Sequence, residues 1–475
     1  MPAPTFVLTP APMLASLPTM RRLRSALVLV PLAACGRGDA APASGVTSVT
    51  FAAPQSLTGA DLGAAPTLAV APDGRRAAAW VTAPDGGTDG RLRVAVADST
   101  GRLGAPVELR DPLGPIEPHG EAPPKLAFAP GGALYALWVV GKEVPNRRFP
   151  ASALRFARSA DGGRTWSAPA SVTDTPQPFG SFNFHSLQAA RGDTVYVAWL
   201  DGRDGKSATY LTRSTDGGRH WAPNVRVNAG GESCPCCRTA VAAGRGDTVY
   251  AAWRQVGAGN VREVVVARSA DGGRRWAPAV RAQRDGWVIA GCPHAGPSLA
   301  VDGAGRVHVA WWSGKEGAAG AFYARSGDGG QAFDAPVPLG VAAFSRPAHV
   351  QLALAGDGRV VAVWDDGTVK VPRVLVRVSR DAGVSFAPAA VASATSSATS
   401  GATSGAAGGG VDGAAATFPV LAAAGDRVAL AWTAESAAHL AREHAHRPDM
   451  KDPRVRMPLP SVGRRSVVLR DATVR

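Results

Sequence analysis

The sequence lacks a long apolar run, a high content of charged residues and an extended stripe of basic residues. No stretch reaches the roughly 18 apolar residues that read as a transmembrane helix. Hydrophobic residues at 45% and charged residues at 19% exclude a wholly disordered chain and a polytopic membrane protein. Lys and Arg (51) exceed Asp and Glu (37) by 14, but they are scattered. Nucleic acid is therefore not an expected partner, because its binding needs a basic stripe.

Glycine and proline are abundant instead. The 56 glycines and 38 prolines make up about a fifth of the 475 residues, against a usual ~12%. Such frequent turn residues favour many short strands and argue against a helical bundle. The length allows two or three ordinary domains or one large all-β ring.

The first 35 residues predict a targeting signal. Residues 20–24 (Met-Arg-Arg-Leu-Arg) are basic, residues 25–31 are apolar, and residues 32–35 read Leu-Ala-Ala-Cys. This pattern resembles a bacterial lipobox, which implies cleavage before Cys35 and a lipid anchor on that residue; Met20 is then the expected start. The alternative is an ordinary secretory signal. Both place the body outside the cytoplasm, either lipid-anchored in the cell envelope (periplasm or outer membrane) or secreted, with residues 36–45 as a flexible tether.

A repeat of about 55 residues organises residues 46–475. Seven short β-rich runs end in tryptophan, at Trp80, Trp138, Trp199, Trp253, Trp311, Trp364 and Trp432. Between them, a Ser-x-Asp-x-Gly-x-x-Trp/Phe turn recurs five times, with its aspartates at Asp161, Asp216, Asp271, Asp328 and Asp381. Each unit reads as four antiparallel strands, which is a propeller blade. The sequence therefore predicts an all-β propeller of six to seven blades, closed by residues 466–469 and a strand near residues 46–51.

The recurring turn has a physical explanation. Ser and Asp side chains cap backbone N–H groups, Gly supplies the positive φ, and Trp or Phe packs under the sheet. The motif resembles the Asp-box (BNR) repeats of the sialidase superfamily, and the resemblance covers roughly residues 60–435. In that family the box is structural, so it implies the fold and leaves activity open. Residues 393–410 and 434–464 are predicted as flexible insertions in the ring.

The chemistry-bearing residues precede the first strands of successive blades. In a four-stranded meander these loops share the face at the mouth of the central channel, where propeller ligands usually bind. The ligand-binding candidates are His119, His185, Arg238, Arg346 and His349. The sulfur-containing candidates are Cys234, Cys236, Cys237 and Cys292, with His294 beside the last.

Two interpretations of the cysteines stay open. Four cysteines outside the cytoplasm can form disulfides, of which one linking Cys292 to the Cys234–Cys237 loop is the most direct. Thiolates and the His294 imidazole from two adjacent loops can instead bind copper or zinc. A mixed arrangement, with one disulfide and ligating Cys and His, also fits the pattern.

The sialidase resemblance implies an arginine triad, a Tyr nucleophile paired with Glu, and an Asp acid/base. Arg238 and Arg346 occupy positions suited to a carboxylate clamp. No Tyr follows Tyr323, and all five tyrosines lie on predicted strands, so no nucleophile is assigned. Seven carboxylates are expected in the loops between second and third strands, and a pair could serve as general acid and base: Asp85, Asp89, Asp201, Asp204, Glu316, Asp365 and Asp366.

The sequence thus supports three functional hypotheses. The first is an extracytoplasmic propeller that binds a glycan, a peptide or a metal at the channel mouth. The second is an exo-α-sialidase-type glycoside hydrolase, although the triad and the nucleophile are not recognisable. The third is a metal-binding or redox protein of the cell envelope.

Overall fold

The computed structural model describes residues 49–59, 61–71, 73–341, 347–394, 414–436, 438 and 456–474. The chain divides into Met1–Gly45 and Val46–Arg475, and all described residues belong to the second unit. The predicted signal with Cys35, the predicted tether and Arg346 lie outside the described residues. So do residues 395–413 and 439–455, which hold most of the two predicted insertions. Among the described residues, no helix is both long and apolar enough to cross a membrane.

Seven antiparallel sheets of four main strands form the blades, which decides the predicted range of six to seven in favour of seven. Two short strands, β1 (Val49–Phe51) and β2 (Gln55–Ser56), come first and join the last blade. Blades one to three, each from its innermost to its outermost strand, are β3 (Gly63–Val70), β4 (Arg76–Thr82), β5 (Arg91–Val96) and β6 (Val107–Leu109); β7 (Lys125–Phe128), β8 (Leu134–Lys142), β9 (Ala151–Ser159) and β10 (Ala170–Ser171); β11 (Phe182–Ala189), β12 (Val195–Asp201), β13 (Ala208–Ser214) and β14 (Val225–Arg226).

Blades four to seven follow the same order. Their strands are β16 (Ala240–Ala243), β17 (Val249–Val256), β18 (Arg262–Ser269) and β19 (Val280–Arg281), with β15 (Glu232–Ser233) also paired to β17; β20 (Ser298–Val301), β21 (Val307–Ser313), β22 (Gly320–Ser326) and β23 (Val337–Val341); β24 (Gln351–Leu354), β25 (Val360–Asp366), β26 (Arg373–Ser379) and β27 (Ala390–Val391); β28 (Ala414–Ala424), β29 (Arg427–Ser436) and β30 (Arg465–Val474). Single 3-10 turns cover Pro84–Gly86, Ala258–Asn260 and Gly356–Gly358.

The ring closes at the seventh blade. Each innermost strand contacts that of the next blade, and β28 of blade seven contacts β3 of blade one. The fourth strand of blade seven is β1, which pairs with β30 in the register Val49↔Val474 to Phe51↔Ala472. The predicted closure by the two chain ends is therefore confirmed, with a longer C-terminal strand than expected. A sheet built from both chain ends closes the ring, and the outermost strands that remain as edges are short, such as the three residues of β1.

The repeated tryptophans form the core between blades. All seven second-strand Trp side chains are at most 3% exposed. Several second strands continue past this residue, to Lys142 in β8, Asp201 in β12 and Asp366 in β25. Asp201, Asp365 and Asp366 are thus buried strand residues, which corrects their prediction as loop carboxylates.

The five Asp boxes adopt one geometry. In each, the Ser hydroxyl lies 2.6–2.8 Å from the Asp carboxylate and accepts a hydrogen bond of 2.7–2.9 Å from a Gly N–H. In the first box Asp161 also accepts from the backbone N–H groups of Arg164 and Thr165. Gly162 and Gly163 have φ of 76° and 91°, and Trp166 packs against a core cluster. The predicted capping role of the turn is confirmed.

Candidate functional site

The channel-mouth loops, which join each blade to the next, lie at the opposite end of the strands from the Asp boxes. His119 precedes β7, the three neighbouring cysteines lie between β15 and β16, Cys292 and His294 precede β20, and His349 precedes β24. His185 lies within β11, at an irregularity where the pairing register shifts between Asn183 and Ser186. Such bulges re-aim side chains, and β3 and β28 carry the same feature near their first residues.

Three cysteines form a buried cluster. The Cys234 sulfur lies 3.7 Å from that of Cys236 and 3.0 Å from that of Cys237. All three residues are at most 4% exposed, and all three thiols are free. Cys236 also belongs to a second group with exposed Cys292 and His294, whose donor atoms lie within 4.8 Å of one another. The structure therefore brings all predicted sulfur ligands of blades four and five together.

The local fold explains this proximity. The Cys234 N–H donates to the Arg254 carbonyl at 2.7 Å, which ties the start of the loop to β17. The Arg254 guanidinium is fully buried and donates to the Trp312 carbonyl at 2.6 Å and to the Ala295 carbonyl at 3.0 Å, joining blades four and five. At Gly296 a Cβ atom would lie 2.2 Å from the Arg238 carbonyl. Only glycine allows the two channel-mouth loops to approach this closely.

The thiols perturb one another's ionisation. Hydrogen bonds from Cys236 and Cys237 lower the pKa of Cys234 well below its ordinary value. The same contacts with Cys234 raise the pKa of Cys236, and burial raises the pKa of Cys237. A hydrogen bond from Cys236 lowers the pKa of exposed Cys292. Negative charge is thus favoured at two sulfurs, Cys234 and Cys292, with protonated Cys236 between them.

The His119 imidazole stands beside Phe184, which packs with the three buried cysteines, and beside His294. The ring centroid of His119 lies 5.4 Å from that of Phe184 and 6.2 Å from that of His294. Burial and, secondarily, the nearby His294 and His349 lower the pKa of His119 to about 3. Its Nδ1 accepts a hydrogen bond from the Ala122 N–H at 3.3 Å. His119 is therefore a neutral imidazole at physiological pH.

His185 is fully buried, and neither ring nitrogen makes a hydrogen bond of good geometry to the part of the chain described. Burial and then the neighbouring Lys125 hold its pKa well below the ordinary value, although the Pro123 backbone opposes the shift. Burial and the Arg238 charge also lower the pKa of Lys125 to about 7. The centre of this face therefore favours uncharged nitrogen ligands.

Arg238 is a buried residue that links its own channel-mouth loop to two others. Its guanidinium donates to Glu121 at 2.6 Å and to the Val350 carbonyl at 2.7 Å, and its N–H donates to the same carboxylate. The Gly296 N–H donates to Glu121 as well, at 2.5 Å. The pair is almost completely buried, so the predicted clamp for a ligand carboxylate is already engaged with a carboxylate of the protein.

His349 is held by Asp365, whose carboxylate lies 2.7 Å from Nδ1 and accepts from the His349 N–H at 2.6 Å. Burial opposes protonation, but Asp365 and Glu121 raise the pKa of His349 above its ordinary value. The Phe418 ring covers it at 4.1 Å between centroids. His349 thus connects blades six and seven and lies inside the protein.

Glu117 is a functional candidate that the sequence reasoning missed. It lies two residues before His119 in the same channel-mouth loop, and burial raises its pKa to about 7. The Asn183 amide donates to it at 3.5 Å. The sequence feature that could have identified Glu117 is its position two residues before His119, a predicted ligand-binding histidine.

The tyrosines lie inside the protein. All five are at most 7% exposed, which confirms their prediction as packing residues.

Comparison with known proteins supports the fold. Residues 117–288 match the BNR repeat-like domain, and no curated protein sequence matches. A structure of a protein of unknown function from Dyadobacter fermentans is 13% identical with a TM-score of 0.51, covering 90% of this chain and 99% of that one. This likeness shows the fold alone.

Two further structures have lower TM-scores. An α-L-arabinanase of Penicillium chrysogenum complexed with arabinobiose is 15% identical, with a TM-score of 0.45, covering 70% of this chain and 98% of that one. A Hadza microbial sialidase is 15% identical, with a TM-score of 0.43, covering 74% and 72%. The repeats, the domain match and the seven blades together confirm the predicted BNR-repeat propeller.

Proposed function

We propose that this BNR-repeat β-propeller binds a thiophilic metal ion, copper(I) or zinc, at its channel mouth. The observation that carries the proposal is the convergence of the Cys236 and Cys292 sulfurs and a His294 nitrogen within 4.8 Å of one another. These donors come from two blades, so their meeting is a product of the tertiary fold. Thiolate and imidazole are the ligands that copper(I) and zinc prefer.

The distances suit ligation after small rotations of the side chains. Metal–sulfur bonds of about 2.3 Å in a tetrahedral site place two sulfurs about 3.8 Å apart. Cys292 and His294 are exposed, while Cys236 is buried, so an ion has a path from solvent to a partly sheltered position. Three protein ligands leave a coordination position that a further thiolate or an external ligand can fill.

The test is a metal titration of the full chain. Protein purified anaerobically, reduced and without chelators is expected to retain copper or zinc near one equivalent and to compete for copper(I) with a chromogenic chelator. Zinc and copper(I) are titrated separately, which identifies the preferred ion. Background metal content in reduced protein, with no competition for either ion, would refute the proposal.

A second function, glycoside hydrolysis of the exo-sialidase type, is favoured by Glu117. A buried carboxyl with a pKa raised to about 7 keeps the proton that a general acid must donate. The assay is turnover of a fluorogenic sialoside by wild-type protein beside the Glu117→Gln and Arg346→Ala variants. Turnover that Glu117→Gln abolishes supports this function, whereas absence of turnover in the wild type removes it for that substrate.

We also propose that the protein works in the cell envelope, attached through Cys35. The basic, apolar and Leu-Ala-Ala-Cys segments of residues 20–35 support this location. Incorporation of a labelled fatty acid into wild-type protein, and its loss in Cys35→Ala, is the expected result. Unlabelled protein released into the medium would indicate an ordinary secretory signal.

A further inference from the structure

The buried sulfurs of Cys234 and Cys237 differ from the other close pair. They lie 3.0 Å apart, whereas Cys234 and Cys236 are separated by 3.7 Å. Two thiolates on one ion would lie about 3.8 Å apart at metal–sulfur bonds of about 2.3 Å. The wider pair has the spacing of two ligands of one ion, whereas the narrower pair lies closer together than two such ligands.

The backbone holds Cys234 and Cys237 at a separation that suits a disulfide. Cys234 and Cys237 stand three residues apart, and the Cys237 N–H donates to the Cys234 carbonyl at 3.4 Å. A turn of this kind brings the two Cα atoms within about 7 Å, a separation that a disulfide can span. The resulting Cys-x-x-Cys spacing is that of dithiols with redox activity.

The cluster also provides a route between this pair and solvent. Cys234 and Cys237 are each about 1% exposed, so an external disulfide cannot reach them directly. Cys292 is exposed, and Cys236 is within reach of both Cys292 and the buried pair. The four thiols therefore form a series of neighbours, from exposed Cys292 through Cys236 to the buried pair of Cys234 and Cys237.

We propose that Cys234 and Cys237 form a redox couple that sets the metal affinity of the channel-mouth site; this inference rests on the proposed function. As a dithiol, the pair offers the Cys234 thiolate, whose sulfur lies 3.7 Å from that of Cys236, as a fourth ligand to an ion held by Cys236, Cys292 and His294. As a disulfide, the pair is withdrawn from coordination, and only those three ligands remain. Oxidation therefore weakens metal binding without removing the site.

The exchange begins at the surface of the metal-free protein. The Cys292 thiolate attacks a low-molecular-weight disulfide such as oxidised glutathione and releases one thiol. Cys236 then displaces the second thiol, forming a Cys236–Cys292 disulfide. Each attack breaks one S–S bond and forms another.

The disulfide then moves inward. Cys234 attacks the Cys236 sulfur and frees Cys292, and Cys237 attacks Cys234 and frees Cys236. Overall, Cys234 and Cys237 lose two protons and two electrons, and the external disulfide is reduced to two thiols. The atoms and electrons balance with no other reactant.

The experiment compares two redox states of the full chain. Reduced protein and protein equilibrated with oxidised glutathione are alkylated and mapped by mass spectrometry, and copper(I) affinity is measured by chelator competition on each. We expect a Cys234–Cys237 disulfide, alkylated Cys236 and Cys292, and an affinity at least ~10-fold lower after oxidation. A stable Cys236–Cys292 disulfide, or equal affinity in both states, would overturn the inference.

Variants separate the two proposals. The reduced double variant C234S/C237S is expected to bind copper(I) with the affinity of the oxidised wild type. Because it cannot pass the disulfide inward, oxidised glutathione should trap it as the Cys236–Cys292 disulfide and abolish its copper binding, which the wild type retains. If that variant does not fold, as judged by its thermal transition, the comparison of the two wild-type states still decides. If reduced wild type binds no metal, the proposed function fails, while the peptide map independently decides whether the redox couple exists.

Discussion

The two faces of the ring differ in their loops: the loop sequences of one face repeat from blade to blade, and those of the other do not. On the Asp-box face, five turns repeat one set of Ser, Asp and Gly contacts that differ by only 0.2 Å in the Ser–Asp distance. On the channel-mouth face, each loop carries different groups: carboxylates, imidazoles, a guanidinium or thiols. The repeated face specifies the blades, and the proposed metal site lies on the face without repetition.

The contrast has an energetic side. The recurring Ser and Asp side chains of the Asp boxes bond within the turn itself, and neighbouring blades add contacts such as that of the Tyr250 hydroxyl with the Gly329 carbonyl. At the channel mouth, partners come from distant blades, as in the pairing of Glu121 with Arg238 and Gly296. Closing the ring is therefore a condition for the site, and disturbing one face should affect stability and binding differently from disturbing the other.

The largest expected effect concerns the stability contributed by the buried ion pair of Arg238 and Glu121 on the channel-mouth face. Arg238→Met leaves Glu121 buried without its cation and should cost about 3–5 kcal/mol in unfolding free energy. The matched control is Arg110→Met, which removes the ion pair of an exposed arginine with Glu108 and should cost at most about 1 kcal/mol. Equal losses of unfolding free energy in the two variants, measured by urea unfolding, would contradict the distinction between buried and exposed ion pairs.

The next effect concerns pH. The pKa of Glu117 is raised from 4.5 to about 7 in the folded protein, so the unfolded chain releases this proton first as the pH rises. The stabilisation is complete below about pH 4.5 and lost as the pH rises through about 7, at roughly 1.4 kcal/mol per unit. Glu117→Gln should therefore gain stability relative to wild type, by up to about 3 kcal/mol near pH 7.

Urea unfolding of both proteins across this range measures the difference. The comparison between variants cancels the contributions of His119 and His185, whose lowered pKa values act in the opposite direction. A stability difference that does not change between acidic and neutral pH would contradict the burial of an ionisable Glu117.

A third prediction compares one histidine from each face. His294→Ala should weaken metal binding by about 100-fold, because it removes a ligand of the proposed site. His220→Ala, on an Asp-box turn where the imidazole lies 2.6 Å from Asp216, should leave metal affinity unchanged. Calorimetric titration of both variants is the measurement, and equal affinities would sharply weaken the assignment of chemistry to one face.

The smallest effect tests the repeated face. Ser159→Ala removes the buried acceptor of the Gly163 N–H and should cost about 1–2 kcal/mol. Ser214→Ala, the equivalent change in the next blade, should cost the same because its contacts are the same. Both variants should keep the metal affinity of wild type, and a loss of binding in either would show that the two faces are coupled.

Much of the fold followed from sequence because the repeat marks each blade twice. Five boxes alone would have left two blades unmarked, and the tryptophans supplied the count of seven. Pairing of the two chain ends in blade seven was also predicted. The ends of the second strands were misjudged, since β12 and β25 continue beyond Trp199 and Trp364, and Asp365 was therefore assigned to a loop.

The site could be predicted only to the level of loops. Equivalent positions in a meander place Cys236, Cys292 and His294 on one face, and the structure brings them together. The burial of Arg238 against Glu121 could not be inferred, because the carboxylate belongs to no repeat and its partner lies 117 residues away. Distances between thiols depend on side-chain rotation, which no spacing encodes.

X-ray absorption at the copper edge identifies the ligands of the proposed metal site. For reduced protein loaded with copper(I), we predict a shell dominated by sulfur at about 2.3 Å with a nitrogen contribution that His294→Ala removes. A spectrum of oxygen and nitrogen neighbours alone, or one unchanged by Cys236→Ser and Cys292→Ser, would contradict a thiolate site at the channel mouth.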